Sequence, residues 1–499
     1  MSTVNDLDRF LKNYKLFPAL IRIAHFSNRL FLDNNVFADF PLTINGRTYK
    51  QTVTQWGLFF IAHRLILSSN DGRSSNFEHQ DLFQANQIFN DLNEPFLQDS
   101  DLFGLMGRVS YEQFWWQDCY TYNFSRNYII LVELHDKFKD VIKVDLDKVF
   151  YENFNLTIKD FLIIAFIIFG QSQINPCFTL EDLYDIQIPE LDVVLKVEKI
   201  NSFIKLVSAS YSQIRELSFE SNRRILPVEL PDFERYAFNP LLTYPLVKCH
   251  LGYKQSRNSF VVTNSVVFLK KFMDGVYWLL RDLYNESNSE YFLQSFGDLF
   301  EIYVGEILKR YFGEHEVINL NDYLKLKPKS KNQPKIADWL IDIGDSILIF
   351  ECKSQLIPMK LKQTFNKKFW NDWSIKVVKK AAEQLDSTLQ LLQKDPDYKE
   401  KKFFKFIVLN EDLYLAENRI FKENSDFYII TIQELELLEA PIKKFGIHRI
   451  MAEKQDIDKR NRLEEGQNFI HVYKSIGDVE LTNNWLQETY DKFFDEFKL

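Results

Sequence analysis

Four cysteines in 499 residues, at positions 119, 177, 249 and 352, form no C-x-x-C pair. That spacing argues against a disulfide framework or a zinc module and points to a reducing compartment. Glycine is scarce at 15 residues, and no G-x-x-x-x-G-K-[ST] or G-x-G-x-x-G loop occurs. The chain thus carries no evident phosphate cradle of an ATPase motor, and without H-E-x-x-H it lacks that metalloprotease signature. The longest apolar run, residues 161–169, is nine residues long. It is too short to cross a bilayer and reads as a buried helix. The first residues show no basic-then-apolar signal pattern, so the expectation is a cytoplasmic protein with no membrane partner. His25, His63, His79 and His135 do not stand at ligand spacing and read as core or surface histidines.

What is present is globular. Hydrophobic residues make up 46% and charged residues 26%, and 46 phenylalanines promise a heavy aromatic core. The length suits two or three domains. Net charge is −9, yet the charge is uneven: residues 325–380 hold 13 lysines and no arginine against five acids. Lys325, Lys327, Lys329, Lys331 and Lys335 precede one short stretch of this window, and Lys360, Lys362, Lys367, Lys368, Lys376, Lys379 and Lys380 follow it. One such run is ordinarily a solvated surface. Two that flank a pair of carboxylates suit a phosphate backbone, which needs positive charge beside the chemistry.

Residues 1–230 read as a mainly helical N-terminal domain for sensing or for binding a partner or DNA. Apolar residues recur at three- and four-residue spacing over 7–26, 53–67, 111–134, 158–169 and 191–217. Residues 68–76 form a polar loop by composition, and Trp115 and Trp116 read as packing. Prolines at 227, 231, 240 and 245 mark a boundary or connector near 225–255, and residues 231–288 read as a connector followed by an amphipathic helix over 264–285. A compact α/β unit is expected over 289–445, built as helix, hairpin, helix, strand, strand. Residues 446–499 read as a charged helical tail.

The stretch between the lysine runs, residues 338–353, is Asp-Trp-Leu-Ile-Asp-Ile-Gly-Asp-Ser-Ile-Leu-Ile-Phe-Glu-Cys-Lys. Mostly apolar residues on either side of Gly344-Asp345 predict a tight antiparallel hairpin. With 344 and 345 in the loop, 343 pairs with 346, and Asp338 falls opposite Glu351. Opposed carboxylates on one face repel, and Lys353, two residues beyond Glu351, points the same way. A divalent cation would turn that repulsion into binding. Other carboxylate-x-Lys triplets, at 397–399 and 400–402, sit in a charged loop without a leading strand and read as surface.

Asp338 followed by Glu351-Cys352-Lys353 at the end of an apolar strand resembles the active-site motif of the PD-(D/E)xK nuclease superfamily. The segment Phe296-Gly-Asp-Leu-Phe-Glu301-Ile-Tyr-Val304 resembles its first core helix, with Glu301 preferred over Glu306 as an additional acid. The resemblance spans roughly 290–435. It implies an α/β fold, in which the helical N-terminal region precedes a restriction-endonuclease-like core, a mixed central sheet flanked by helices. It further implies that Asp338 and Glu351, with the Cys352 main-chain carbonyl and Glu301, hold Mg²⁺ (Mn²⁺ as a substitute), and that Lys353 positions or deprotonates the attacking water. The Cys352 side chain is expected in the core. Lys376, Lys379, Lys380 and Gln384 are the candidate DNA contacts; Gln384 is alternatively a partner of Lys353, and a plain surface glutamine is the reading slightly preferred. Ala337 stands where proline is common, and Thr388 stands where some members carry tyrosine after a glutamine.

The implied activity is a Mg²⁺-dependent deoxyribonuclease, resembling bacterial effectors of anti-phage defence. The same chemistry fits a nuclease of repair, recombination or transposition, and a non-catalytic nucleic-acid-binding scaffold is the remaining reading. Double-strand cutting would imply a homodimer, and energy-dependent translocation would require a partner protein.

Overall fold

The computed structural model describes residues 2–33, 37–44, 47–92, 115–116, 122–184, 187–188, 193–194, 196–225, 238–250, 258–286, 290–325, 335–358, 361–362, 367–412, 426–460 and 468–496. Lys327, Lys329, Lys331, Lys360 and Cys119 lie outside these residues, as do the prolines at 227 and 231. The chain is α/β and divides into two compact units: residues 1–123, 147–280 and 494–499 form the first, and residues 124–146 and 281–493 the second.

The first unit is not purely helical. Helices Val4–Leu11, Leu16–Leu32, Gln55–Ser68 and Ile158–Ile174 follow the expected apolar spacing. Thr3 and Thr157 each close a capping box with an aspartate three residues on, which satisfies the free amides of the first turn. Between these helices lie an antiparallel hairpin, Phe37–Ile44 with Arg47–Thr54, and a four-stranded sheet built from Cys177–Thr179, Ser208–Ser210, Leu246–His250 and Asn258–Val262. Short strands of three to five residues give too few alternations to stand out from helical periodicity. The apolar run at 161–169 lies within Ile158–Ile174, most of it buried. Among the described residues no single helix is long and apolar enough to cross a membrane. Trp115 and Trp116 are buried edge to face at 4.8 Å. His63 is buried against the Ser218 hydroxyl at 2.8 Å, and burial holds its imidazole down at about 3.

The second unit, whose elements are numbered here, is built on one mixed sheet. Helix α1 (Tyr291–Phe312) leads to β1 (Val317–Asn319), then β2 (Trp339–Asp342) and β3 (Ser346–Lys353). Helix α2 (Lys367–Ser374), a π-helical turn (Ile375–Lys379) and α3 (Lys380–Leu392) lead to β4 (Lys402–Leu409) and β5 (Tyr428–Thr431). The sheet order is β5-β4-β3-β2-β1; the β1–β2 and β2–β3 pairs are antiparallel, and the β3–β4 and β4–β5 pairs are parallel.

The hairpin has the register derived from the sequence. Trp339 pairs with Phe350 and Asp342 with Ile347, while Ile343 N–H donates to the Ser346 carbonyl at 3.0 Å. Gly344 takes φ +89°, which its lack of a Cβ makes cheap. Parallel pairing of β3 with β4 demands a crossover, and α2–α3 supply it. Helices α1 and α3 both pack on β3, so Ser346 through Glu351 are buried without alternation.

Two segments depart from the expected domain limits. Residues 124–146 belong to the second unit because Arg126 forms a buried two-pronged pair with Glu436, at 2.6 and 2.7 Å, and Val144 N–H donates to Ser295 Oγ. The Tyr303 hydroxyl also donates to Glu436, which leaves that buried carboxylate fully engaged. Beyond 446 the chain packs on the sheet: Phe469 lies against Phe406 and Tyr428, and its amide donates to the buried Glu434 carboxylate at 2.6 Å. The first unit, in turn, continues to residue 280.

Candidate metal and phosphodiester site

The site gathers at the C-terminal end of β3. Asp338 immediately precedes β2, with its amide donating to the Phe350 carbonyl and its carbonyl accepting from Leu320 N–H, both at 3.0 Å. Its carboxylate Oδ2 accepts from the Cys352 amide at 2.7 Å. Glu351 is 2% exposed and Lys353 half-buried, both on the side that strand alternation assigns them. Lys353 Nζ donates to Glu351 Oε1 at 2.5 Å and to Gln384 Oε1 at 3.1 Å. Among the described residues, Glu351 Oε2 is buried with no hydrogen-bond partner.

Glu301 comes from α1. Its side chain accepts from Asn319 Nδ2 at 3.3 Å, and its carbonyl accepts from the Trp339 indole N–H at 3.0 Å. Trp339 reaches that carbonyl because residue 305 is glycine: a Cβ there would stand 2.1 Å from the indole. Gly297 makes no comparable close approach, its nearest neighbour Ser354 Oγ lying 3.6 Å from a Cβ position. Glu306 instead pairs with Lys309 at 3.2 Å on its own helix. Glu301 is therefore the acid of α1 that faces the hairpin.

The electrostatics of the three acids are linked. Burial, then the Asp338 charge, pushes the Glu301 carboxyl up to about 8, against a smaller opposing effect of the Asn319 amide. Burial raises Asp338 and Glu351 as well; Glu351 adds to the rise of Asp338, whereas Lys353 opposes both. Lys335, exposed and just upstream, also favours the charged form of Glu351. Burial of paired carboxylates without matching cations has this signature.

The Cys352 thiol is buried and hydrogen-bonds to the Asp338 carboxylate; burial first, then Asp338, Glu301 and Glu351, pushes it well above the ordinary range. That bond follows from the position of Asp338 at the strand end, where it turns across toward Cys352. The thiol stays protonated there, so only the residue's main chain offers a hard oxygen to an ion.

Among the described residues no three acidic, histidine or cysteine side chains converge on a single ion-sized position. Mg²⁺ does not require that: it keeps several waters and takes one or two carboxylates, the remainder coming from substrate phosphate. The partnerless Glu351 Oε2 beside Asp338 fits such an ion.

Lys376, Lys379 and Lys380 are exposed on the π-helical turn and the start of α3. Gln384 lies one helical turn beyond Lys380 and faces the site. Lys362 leaves the basic surface, because it is buried in an ion pair with Glu411. Three participants escaped the sequence reading: Asn319 beneath Glu301, the Trp339 indole N–H, and Thr388, noted only for replacing a tyrosine. No linear spacing signals them, since each meets its partner across elements of the fold.

No family model matches this chain, and no curated protein matches it.

Proposed function

We propose that the second unit is a restriction-endonuclease-like core that hydrolyses DNA phosphodiester bonds with a divalent metal ion. The observation that carries this reading is the convergence of Asp338, Glu351 and Lys353 at one strand end, with Glu351 Oε2 left without a partner. Asp338 and Glu351, assisted by the Cys352 carbonyl and by Glu301 directly or through water, would hold Mg²⁺. When bound, the ion polarises the scissile phosphate and makes water a better nucleophile at neutral pH.

The chain's own groups do the rest. Lys353 is held by Gln384 in range of Glu351, so its ammonium needs little movement to orient a water or to offset charge on a phosphorane-like transition state. Lys335 adds positive charge on the approach to Glu351. Lys376, Lys379 and Lys380 would seat flanking phosphates without reading sequence. On the resemblance, the biological setting is an effector against invading DNA.

The test is incubation of pure full-length protein with Mg²⁺ and a panel of linear, circular, single-stranded and RNA substrates. DNA cleavage that EDTA abolishes and Mg²⁺ or Mn²⁺ restores is expected. Hydrolysis that persists in EDTA, or failure to cut any DNA, overturns the reading.

A further inference from the structure

The dipeptide ahead of Asp338 is tied to α3 rather than to the sheet. The Ala337 amide donates to Thr388 Oγ1 at 2.8 Å, and the Thr388 hydroxyl in turn donates to the Gln384 carbonyl at 2.8 Å. Gln384 Nε2 donates to the Ile336 carbonyl at 3.2 Å, while its Oε1 accepts from Lys353. Ile336, Ala337 and Thr388 are all buried. One helical turn thus fixes the backbone that presents Asp338 and the ammonium of Lys353 together.

We infer that Thr388 is a positioning residue for the metal: its hydroxyl, with the Gln384 amide, sets the backbone from which Asp338 reaches the ion. This inference rests on the proposed metal-dependent reading of the site. Threonine is suited to the task because its hydroxyl accepts from one backbone group and donates to another, so nothing polar is left over in a buried position. Valine has nearly the same shape and can do neither. An unpartnered Ala337 amide would seek another acceptor, and Asp338 would move with it. Supporting partners of this kind commonly govern metal affinity by about 10- to 100-fold when removed.

The experiment compares full-length wild type, Thr388→Val, Thr388→Ser and Glu351→Gln by calorimetric titration with Mn²⁺ in the absence of DNA, with circular dichroism to establish folding. Thr388→Val should weaken Mn²⁺ binding by about 10- to 100-fold, and Thr388→Ser should restore it. A folded Thr388→Val that binds Mn²⁺ as tightly as wild type overturns the inference, provided Glu351→Gln has lost binding. If Glu351→Gln retains wild-type binding, the metal-site reading itself fails. Should Thr388→Val not fold, Gln384→Leu, which cuts the tie to Ile336, is titrated in its place. Undiminished Mn²⁺ affinity in that variant likewise overturns the inference.

Discussion

The Cys352 amide donates to the Asp338 carboxylate at 2.7 Å, tying the residue just ahead of the hairpin's first strand to the chemistry-bearing end of its second. This bond uses one carboxylate oxygen of Asp338, while the charge of Glu351, whose own Oε2 has no partner among the described residues, adds to burial in raising the Asp338 carboxyl. The hairpin is consequently a poor place for two bare charges and a good one for two charges with a cation.

Glu351→Gln should abolish cleavage and yet leave the metal-free protein at least as stable as wild type. The substitution removes a buried charge whose ionised form the fold disfavours. Plasmid cleavage assays and thermal melts in EDTA check both halves. Continued cutting would place the active site elsewhere.

Lys353→Ala should also abolish cleavage, but with Mn²⁺ affinity retained or improved, because it removes a cation that donates to Glu351. Calorimetric titration separates it from Glu351→Gln, which should lose metal. Loss of both functions in Lys353→Ala would indicate collapse of the site rather than removal of a catalytic group.

Stability of the metal-free protein should fall as pH rises from about 5 to about 9 through this site. Glu301 titrates at about 8 in the fold, and the other two acids are also raised, against about 4 in an unfolded chain. The folded chain therefore binds more protons than the unfolded one across that interval, and the slope of stability with pH is negative. Metal must displace those protons, so cleavage should increase over the same range. Urea unfolding in EDTA at several pH values, with Glu301→Gln as reference, gives the test: a slope no shallower in the variant would remove Glu301 from the site's titration.

Neutralising Lys376, Lys379 and Lys380 together should weaken binding to all DNA sequences alike and reduce the slope of log affinity against log salt by about 2 to 3. Fluorescence anisotropy at several salt concentrations measures it. An unaltered slope would return these lysines to plain surface.

Gly305→Ala should cost about 1–3 kcal/mol, since its Cβ would stand 2.1 Å from the Trp339 indole. Urea unfolding at constant metal reports the loss. Wild-type stability would show that Trp339 has room to move.

The sequence alone carried the hairpin, because a two-residue turn between apolar strands leaves one register that buries both faces, and that register brings Asp338, Glu351 and Lys353 to one end. It also carried the order helix, hairpin, helix, strand, strand, through periodicity and turn chemistry, but not the three-residue edge strand β1 ahead of the hairpin, which is too short to show alternation. Only the tertiary structure decided that Glu301 rather than Glu306 faces Asp338, that the Cys352 thiol turns to Asp338, that Lys362 is buried against Glu411, and that Thr388 holds Ala337. Residues 124–146 and the chain beyond 446 joined the second unit for the same kind of reason, a buried ion pair and an aromatic cluster formed at long separation. Strand register is a local consequence of alternation and turn length, whereas the partner of a buried polar group is chosen by whichever distant element closes over it.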